Sequence, residues 1–188
     1  MKRIVVFASG SGTNAQNIIE YFQKSDLAKV TLVLSNKKNA KVLERAKKLN
    51  VSSNNFTKED LCDSDKIVTI LKNEKPDIIV LAGFLLKFPE SILNEFPNKV
   101  INIHPALLPK YGGKGMYGSR VHKFVIENNE SETGITIHYV NENYDEGAII
   151  FQEKVSVSKQ DTANSVAEKV HKLEYEFFPK VIEEILKR

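Results

Sequence analysis

Arg3-Ile4-Val5-Val6-Phe7-Ala8-Ser9-Gly10-Ser11-Gly12-Thr13-Asn14-Ala15-Gln16 is the stretch whose reading decides the fold. The run from Arg3 to Ala8 is almost continuously apolar, the pattern of a strand buried on both faces rather than one that alternates. Glycines at positions 10 and 12 interrupt it. Thr13 to Lys24 then brings Ile18, Ile19 and Phe22 to one helical face. Buried strand, glycine turn and amphipathic helix make the first unit of a doubly wound α/β sheet, and the start of that helix offers unpaired N–H groups to an anion.

Working outward, the same alternation recurs. Val30 to Ser35 reads as a second strand, and Ala40 to Leu49 as a helix with Val42, Leu43, Ala46 and Leu49 inward. A short strand is expected near Ser53 to Phe56, a helix over Asp65 to Asn73, an apolar strand over Asp77 to Ala82 and a short helix over Pro89 to Glu95. Lys99 to His104 is the next strand, Tyr111 to Gly118 a glycine-rich loop and Ser119 to Asn128 a helix. Gly134 to Val140 and Ala148 to Val157 read as a strand pair joined by the polar turn Asn141 to Gly147. Asp161 or Thr162 caps a long final helix whose apolar stripe runs through Val166, Val170, Leu173, Phe177, Val181 and Ile185, with Pro179 bending it. The pattern predicts one mostly parallel sheet in one domain.

Composition narrows the function classes. The chain has 188 residues and a net charge of +3, with no basic run to suggest nucleic acid. No stretch approaches the roughly 20 apolar residues that span a bilayer. The segment after Met1 is too short for a signal-peptide core. The lone cysteine, Cys62, excludes an internal disulfide and fits a reducing compartment; it reads as a semi-buried residue near a helix start. Together these readings place the protein in the cytoplasm, without nucleic-acid or membrane partners.

The chemistry concentrates at Ile101-Asn102-Ile103-His104-Pro105. Alternation puts Asn102 and His104 on one side of a strand that Pro105 ends, at the carboxyl edge where open α/β sheets hold ligands. Asp145 or Glu146, in the polar turn, is placed to orient the imidazole and raise its pKa. The glycine turn loosely fits a dinucleotide site. The second strand, however, ends Leu34-Ser35-Asn36-Lys37-Lys38 without the carboxylate that a ribose needs, and no Walker lysine follows the glycines. What remains is a phosphate or other anion site helped by Thr13 and Asn14. His122 and His138 read as structural or hydrogen-bonding residues, and His171 with Glu174 as a solvated helix face. No spacing resembles a zinc site, and no serine elbow or activated cysteine supports a covalent acyl-enzyme.

Five segments in order resemble a known family: Ser9 to Asn14, Ala82-Gly83-Phe84, Asn102 to Pro109, Lys114 to Gly118 and Tyr144 to Gly147. They are similar to those of the phosphoribosylglycinamide formyltransferases of the formyltransferase superfamily. The resemblance implies a single-domain, Rossmann-like doubly wound sheet over residues 1–188, mostly parallel with an antiparallel carboxyl-terminal part and a long carboxyl-terminal helix. The part up to about residue 100 would bind the substrate phosphate, and the remainder would supply catalytic residues and the folate loop. It implies transfer of a formyl group from 10-formyltetrahydrofolate, as co-substrate, to the amine of glycinamide ribonucleotide in purine biosynthesis.

Carried onto this sequence, Asn102, His104 and Asp145 are the catalytic set. Gly12, Thr13 and Asn14 hold the phosphate, and Glu174 meets the ribose. Folate lies near Leu85, Leu86, Lys87, Phe88 and Asn102. Some relatives carry an arginine where this chain has Leu86, so that charged contact is either missing here or supplied by Lys87, and Lys58 is the candidate for the folate tail. The resemblance also suggests a cis Leu108–Pro109 peptide, and a monomer or homodimer acting on small molecules without a metal.

The expected chemistry is direct attack through a tetrahedral intermediate, with Asn102 and cationic His104 donating to the oxyanion and Asp145 relaying the proton. Formyltransferases acting on aminoacyl-tRNA carry an additional nucleic-acid-binding domain, and those acting on amino sugars fit the glycine turn less well. A nicotinamide-dependent oxidoreductase lacks its ribose carboxylate here, and a non-catalytic nucleotide-binding module does not need the Asn-His-Asp set.

Overall fold

The structure is a computed structural model that describes residues 1–63 and 65–188. Among the described residues the strands are β1 (Lys2–Phe7), β2 (Ala28–Ser35), β3 (Ser52–Asn55), β4 (Ile78–Leu81), β5 (Val100–His104), β6 (Glu132–Tyr139) and β7 (Ile149–Ser156). They form one sheet in the order β3-β2-β1-β4-β5-β6-β7. The pairings from β3 across to β5 are parallel, and β6 and β7 add antiparallel. The helices are α1 (Thr13–Phe22), α2 (Lys41–Lys48), α3 (Lys58–Cys62), α4 (Lys66–Glu74), α5 (Glu90–Glu95), α6 (Ser119–Glu127) and α7 (Ala163–Lys187).

Alternation along each strand divides the core. Ile4, Val6, Ile78, Val80, Ile101 and Ile103 share one apolar cluster with Ile18 and Phe22 of α1 and Val170 and Phe178 of α7. Val5, Phe7, Ile79 and Leu81 share the other with Ile67 and Leu71 of α4 and Ile92 of α5. Fully burying each such side chain contributes about 1.5–3 kcal/mol, so both faces of the central strands are committed to packing. Their carboxyl ends are left for function. The order reverses around β1, flanked by β2 and β4, which opens a crevice at the strand ends.

The departures from the sequence reading concern an additional helix, Cys62 and the buried stripe of the last helix. α3 was not expected; its signal is a capping box in which Thr57 accepts from the Asp60 N–H and Asp60 accepts from the Thr57 N–H. Cys62 closes α3 and is exposed, not semi-buried at a helix start, because Leu61 takes the inward position. α7 runs through Pro179, which removes one backbone donor. The carbonyl left over, that of Tyr175, accepts from Asn17 Nδ2 of α1 at 2.8 Å. Its buried stripe also differs: Glu174 lies within it, between Val170 and Phe178. No helix among the described residues is long and apolar enough to cross a membrane.

Candidate active site

A cleft of about 1060 Å³ opens above the carboxyl ends of β1, β4 and β5. Ser9, at the end of β1, knits this edge together. Its hydroxyl donates to Asn36 Oδ1 at 2.6 Å and accepts from the Leu85 N–H at 3.0 Å. One end of the cleft is the start of α1. Gly12 sits in the left-handed region at φ 75°, and a Cβ there would lie 2.4 Å from Val42 Cβ, so glycine is required on both counts. No side chain caps this helix, and its first bond runs from Gln16 N–H to Gly12 O, leaving the N–H groups before it for a ligand. α2 braces the turn: Val42 N–H donates to Gly10 O, and Arg45 Nε donates to Ser11 O at 2.9 Å.

Beside that turn, Asn14 Nδ2 donates to Glu174 Oε2 at 2.8 Å, while Asn14 Oδ1 is buried with no protein partner. Glu174 is only 6% exposed, and burial pushes its carboxyl above the usual range despite the Asn14 bond and nearby His171. The His171–Glu174 face is therefore only partly solvated: His171 is exposed and Glu174 is buried, and both residues line the cleft.

The other end is built by β5 and β6. Antiparallel register sets Asn102 opposite His138 and His104 opposite Thr136. Asn102 Nδ2 lies 3.1 Å from His138 Nε2 and donates to Asp145 Oδ1 at 3.5 Å. His138 Nδ1 is 2.8 Å from the Tyr139 carbonyl, which needs a proton on Nδ1 and leaves Nε2 to accept from Asn102. Asp145 Oδ1 also stands 3.6 Å from His138 Nε2, and Oδ2 stands 3.5 Å from His104 Nδ1. Asp145 adopts φ 58°, and Gly113 N–H donates to its Oδ2 at 3.0 Å. Thr136 and Gln152 hold the Ala106–Leu108 segment, and the Leu108–Pro109 peptide is cis.

The electrostatics differ from the sequence expectation at His104. Burial, the largest influence, holds its imidazole below the usual range and outweighs the upward pull of Asp145 and the Tyr111 carbonyl. The resting residue is a neutral base rather than a cation. For Asp145, burial pushes upward but is outweighed by its neighbours His138, His104 and the Gly113 N–H together, so it lies below the ordinary carboxylate range.

The structure thus brings Gly12, Thr13, Asn14, Glu174, Asn102, His104, Asp145 and Leu85 to one cleft. Lys58, Leu86, Lys87 and Phe88 are not among its lining residues. Phe88 is 3% exposed and packs edge-on against Phe7 at 5.2 Å, while half-buried Leu86 packs against the same core. Lys58 and Lys87 are exposed to solvent. Residues that the sequence reading set aside, His138, His122 and His171, belong to the site region; the cross-strand register would have identified His138.

A strand-end Asn-His pair, an adjacent aspartate and an anion-binding turn in one doubly wound domain form an arrangement suited to acyl transfer. The formyl transferase family profile matches residues 2–182, and the chain belongs to this family. Its matched relatives include phosphoribosylglycinamide formyltransferase of Haemophilus influenzae, 37% identical over 187 residues (97% of this chain, 86% of the relative). The chloroplastic phosphoribosylglycinamide formyltransferase of Arabidopsis thaliana is 38% identical over 196 residues, covering 99% of this chain and 67% of the relative. Among solved structures, glycinamide ribonucleotide transformylase 1 from Geobacillus kaustophilus superposes with a TM-score of 0.89 at 36% identity, over 99% of each chain.

Proposed function

We propose that the chain transfers the formyl group of 10-formyltetrahydrofolate to the amine of glycinamide ribonucleotide, giving formylglycinamide ribonucleotide and tetrahydrofolate in purine biosynthesis. The observation that carries this reading is a single cleft with an uncapped helix start and buried Glu174 at one end and Asn102, His104 and Asp145 at the other. The names of the relatives supply the substrate.

Each end suits one part of that ribonucleotide. The open N–H groups at Thr13 and Asn14 and the glycine turn accept a phosphate, helped by the positive end of the helix and by Lys37 on the same cleft. Ribose hydroxyls are donors, and they meet two buried acceptors, Asn14 Oδ1 and the Glu174 carboxylate. That leaves the glycyl amine to point along the cleft toward His104.

Neutral His104 takes a proton from the attacking amine on Nδ1, directly or through one water. The imidazolium that forms is paired with Asp145 Oδ2, 3.5 Å away. Asn102 Nδ2 offers a hydrogen to the developing oxyanion, the one only loosely engaged by Asp145 at 3.5 Å. His104 then returns the proton as the formyl carbon parts from its donor nitrogen. Folate lies against Leu85 and the turn that carries Asp145, with Lys58, Leu86, Lys87 and Phe88 contributing at most from their backbone or from outside the cleft wall. The acting form on this reading is a cytoplasmic monomer or homodimer with small-molecule partners and no metal.

A formyl-transfer assay offering glycinamide ribonucleotide beside an aminoacyl-tRNA, an amino-sugar nucleotide and unphosphorylated glycinamide riboside tests it, read by the absorbance of released tetrahydrofolate. Turnover should be confined to the ribonucleotide; faster turnover of another amine would overturn the assignment.

A further inference from the structure

His104 Nε2 lies 2.7 Å from the carbonyl oxygen of Tyr111. A carbonyl only accepts, so Nε2 must carry a proton, and Nδ1, the nitrogen facing Asp145, is left to exchange one. The Tyr111 carbonyl therefore decides which ring nitrogen is chemically active. Tyr111 holds this pose at φ 56°, a left-handed conformation that a tyrosine rarely adopts unaided.

What holds it lies outside the cleft. The Tyr111 hydroxyl donates to Glu130 Oε1 at 2.8 Å, and Lys110 Nζ contacts both oxygens of the same carboxylate at 3.0 and 3.1 Å. Two successive loop residues thus grip one acid, which sits in the link between α6 and β6. Two residues beyond Tyr111, Gly113 N–H holds Asp145 Oδ2. One short loop therefore sets both the tautomer of His104 and the position of its carboxylate partner. Neither Tyr111 nor Glu130 lines the cleft.

We propose that Glu130 is a positioning residue for formyl transfer: through Tyr111 it braces the 110–113 loop that fixes the His104 tautomer and the spacing of His104 from Asp145. This rests on the catalytic reading of His104 above. The other charged or titratable groups facing His104 are Asp145 from the polar turn, His138 from β6 and His122 from α6, and none of them is altered by changing Tyr111 or Glu130.

Tyr111→Phe and Glu130→Gln in the full chain test the brace. In each variant kcat should fall on the order of 10- to 100-fold, the cost of a small misplacement at a reacting centre, with the KM of both substrates within about twofold of wild type. The limb of the kcat profile owed to His104 should move to lower pH, because a carbonyl that accepts from the imidazolium favours the charged form. Combining the two changes should cost no more than either alone. Independently of activity, ¹⁵N spectra of the histidines in the unliganded protein should show His104 protonated at Nε2 in wild type and a mixture of tautomers in both variants. A wild-type tautomer and an unmoved pH limb in both variants would overturn the proposal, whatever happens to the melting temperature. Full turnover by His104→Ala would instead sink the catalytic reading, and the ¹⁵N measurement would still decide the brace.

Discussion

Replacing His122 by glutamine should change how this protein responds to acid more than how it behaves at neutral pH. His122 is 2% exposed on the inner side of α6, and its Nδ1 has no partner. Burial, assisted by the neighbouring His171 and His104, pulls its pKa from 6.5 down to about 4. A histidine with a depressed folded pKa contributes its full stability above the unfolded value, and that contribution is lost as pH falls from 6.5 toward 4. Between pH 7.5 and 5 the unfolded chain gains most of a proton at this residue and the folded chain gains almost none. With one pKa unit worth about 1.4 kcal/mol, the difference removes about 2 kcal/mol of folding stability.

The chain has no tryptophan, so urea unfolding at the two pH values is best followed by far-ultraviolet circular dichroism. Wild type should lose about 2 kcal/mol more than His122→Gln over that interval. His104 and Glu174 titrate in both proteins and cancel in the comparison, as does any constant packing cost of the glutamine. Equal pH slopes for the two proteins would refute the reasoning.

Four further outcomes follow from the cleft. His104→Ala and Asp145→Asn should each lower kcat by roughly 10²–10³ without altering the circular dichroism spectrum; wild-type turnover in either would contradict the roles given to them. Asn14→Ala should raise the KM for the ribonucleotide, while Glu174→Gln, which removes a carboxylate whose folded pKa is raised, should increase the unliganded melting temperature at pH 8 and have little effect below the ordinary glutamate range; a lower melting temperature at pH 8 would count against the burial argument. Gly12→Ala should destabilise the fold by about 1–2 kcal/mol from its left-handed backbone alone, with more from the Val42 contact, and abolish ribonucleotide binding; unchanged calorimetric binding would rule out the phosphate site.

Periodicity made most of the fold legible, because the buried parallel strands and amphipathic helices each carry a local signature. α3 escaped since a helix of five residues has no periodicity to read, although Thr57 and Asp60 carried its capping box. At the site, Asn102 and His104 were legible as neighbours two apart on one strand. His138 was not, because its partnership with Asn102 is a matter of register between strands 36 residues apart. Glu174 looked like surface because a carboxylate on a helix usually is; only the tertiary position of α7 turns it inward. The charge on His104 was misjudged for the same reason, since the carboxylate is visible in the sequence and the depth of burial is not. The folate-side positions depended on a loop whose phenylalanines fold back into the core.

The bond between Asn14 and Glu174 spans 160 positions of the chain. During synthesis the glycine turn and Asn14 leave the ribosome long before Glu174, and no partly made protein has both partners of this bond. On the proposed function, the ribose side of the site forms only when the last helix has docked, so the full binding energy of the ribonucleotide would favour only the finished molecule. A ribonucleotide held there would act as a clasp between the first helix and the last, coupling detachment of the carboxyl-terminal helix to loss of the substrate.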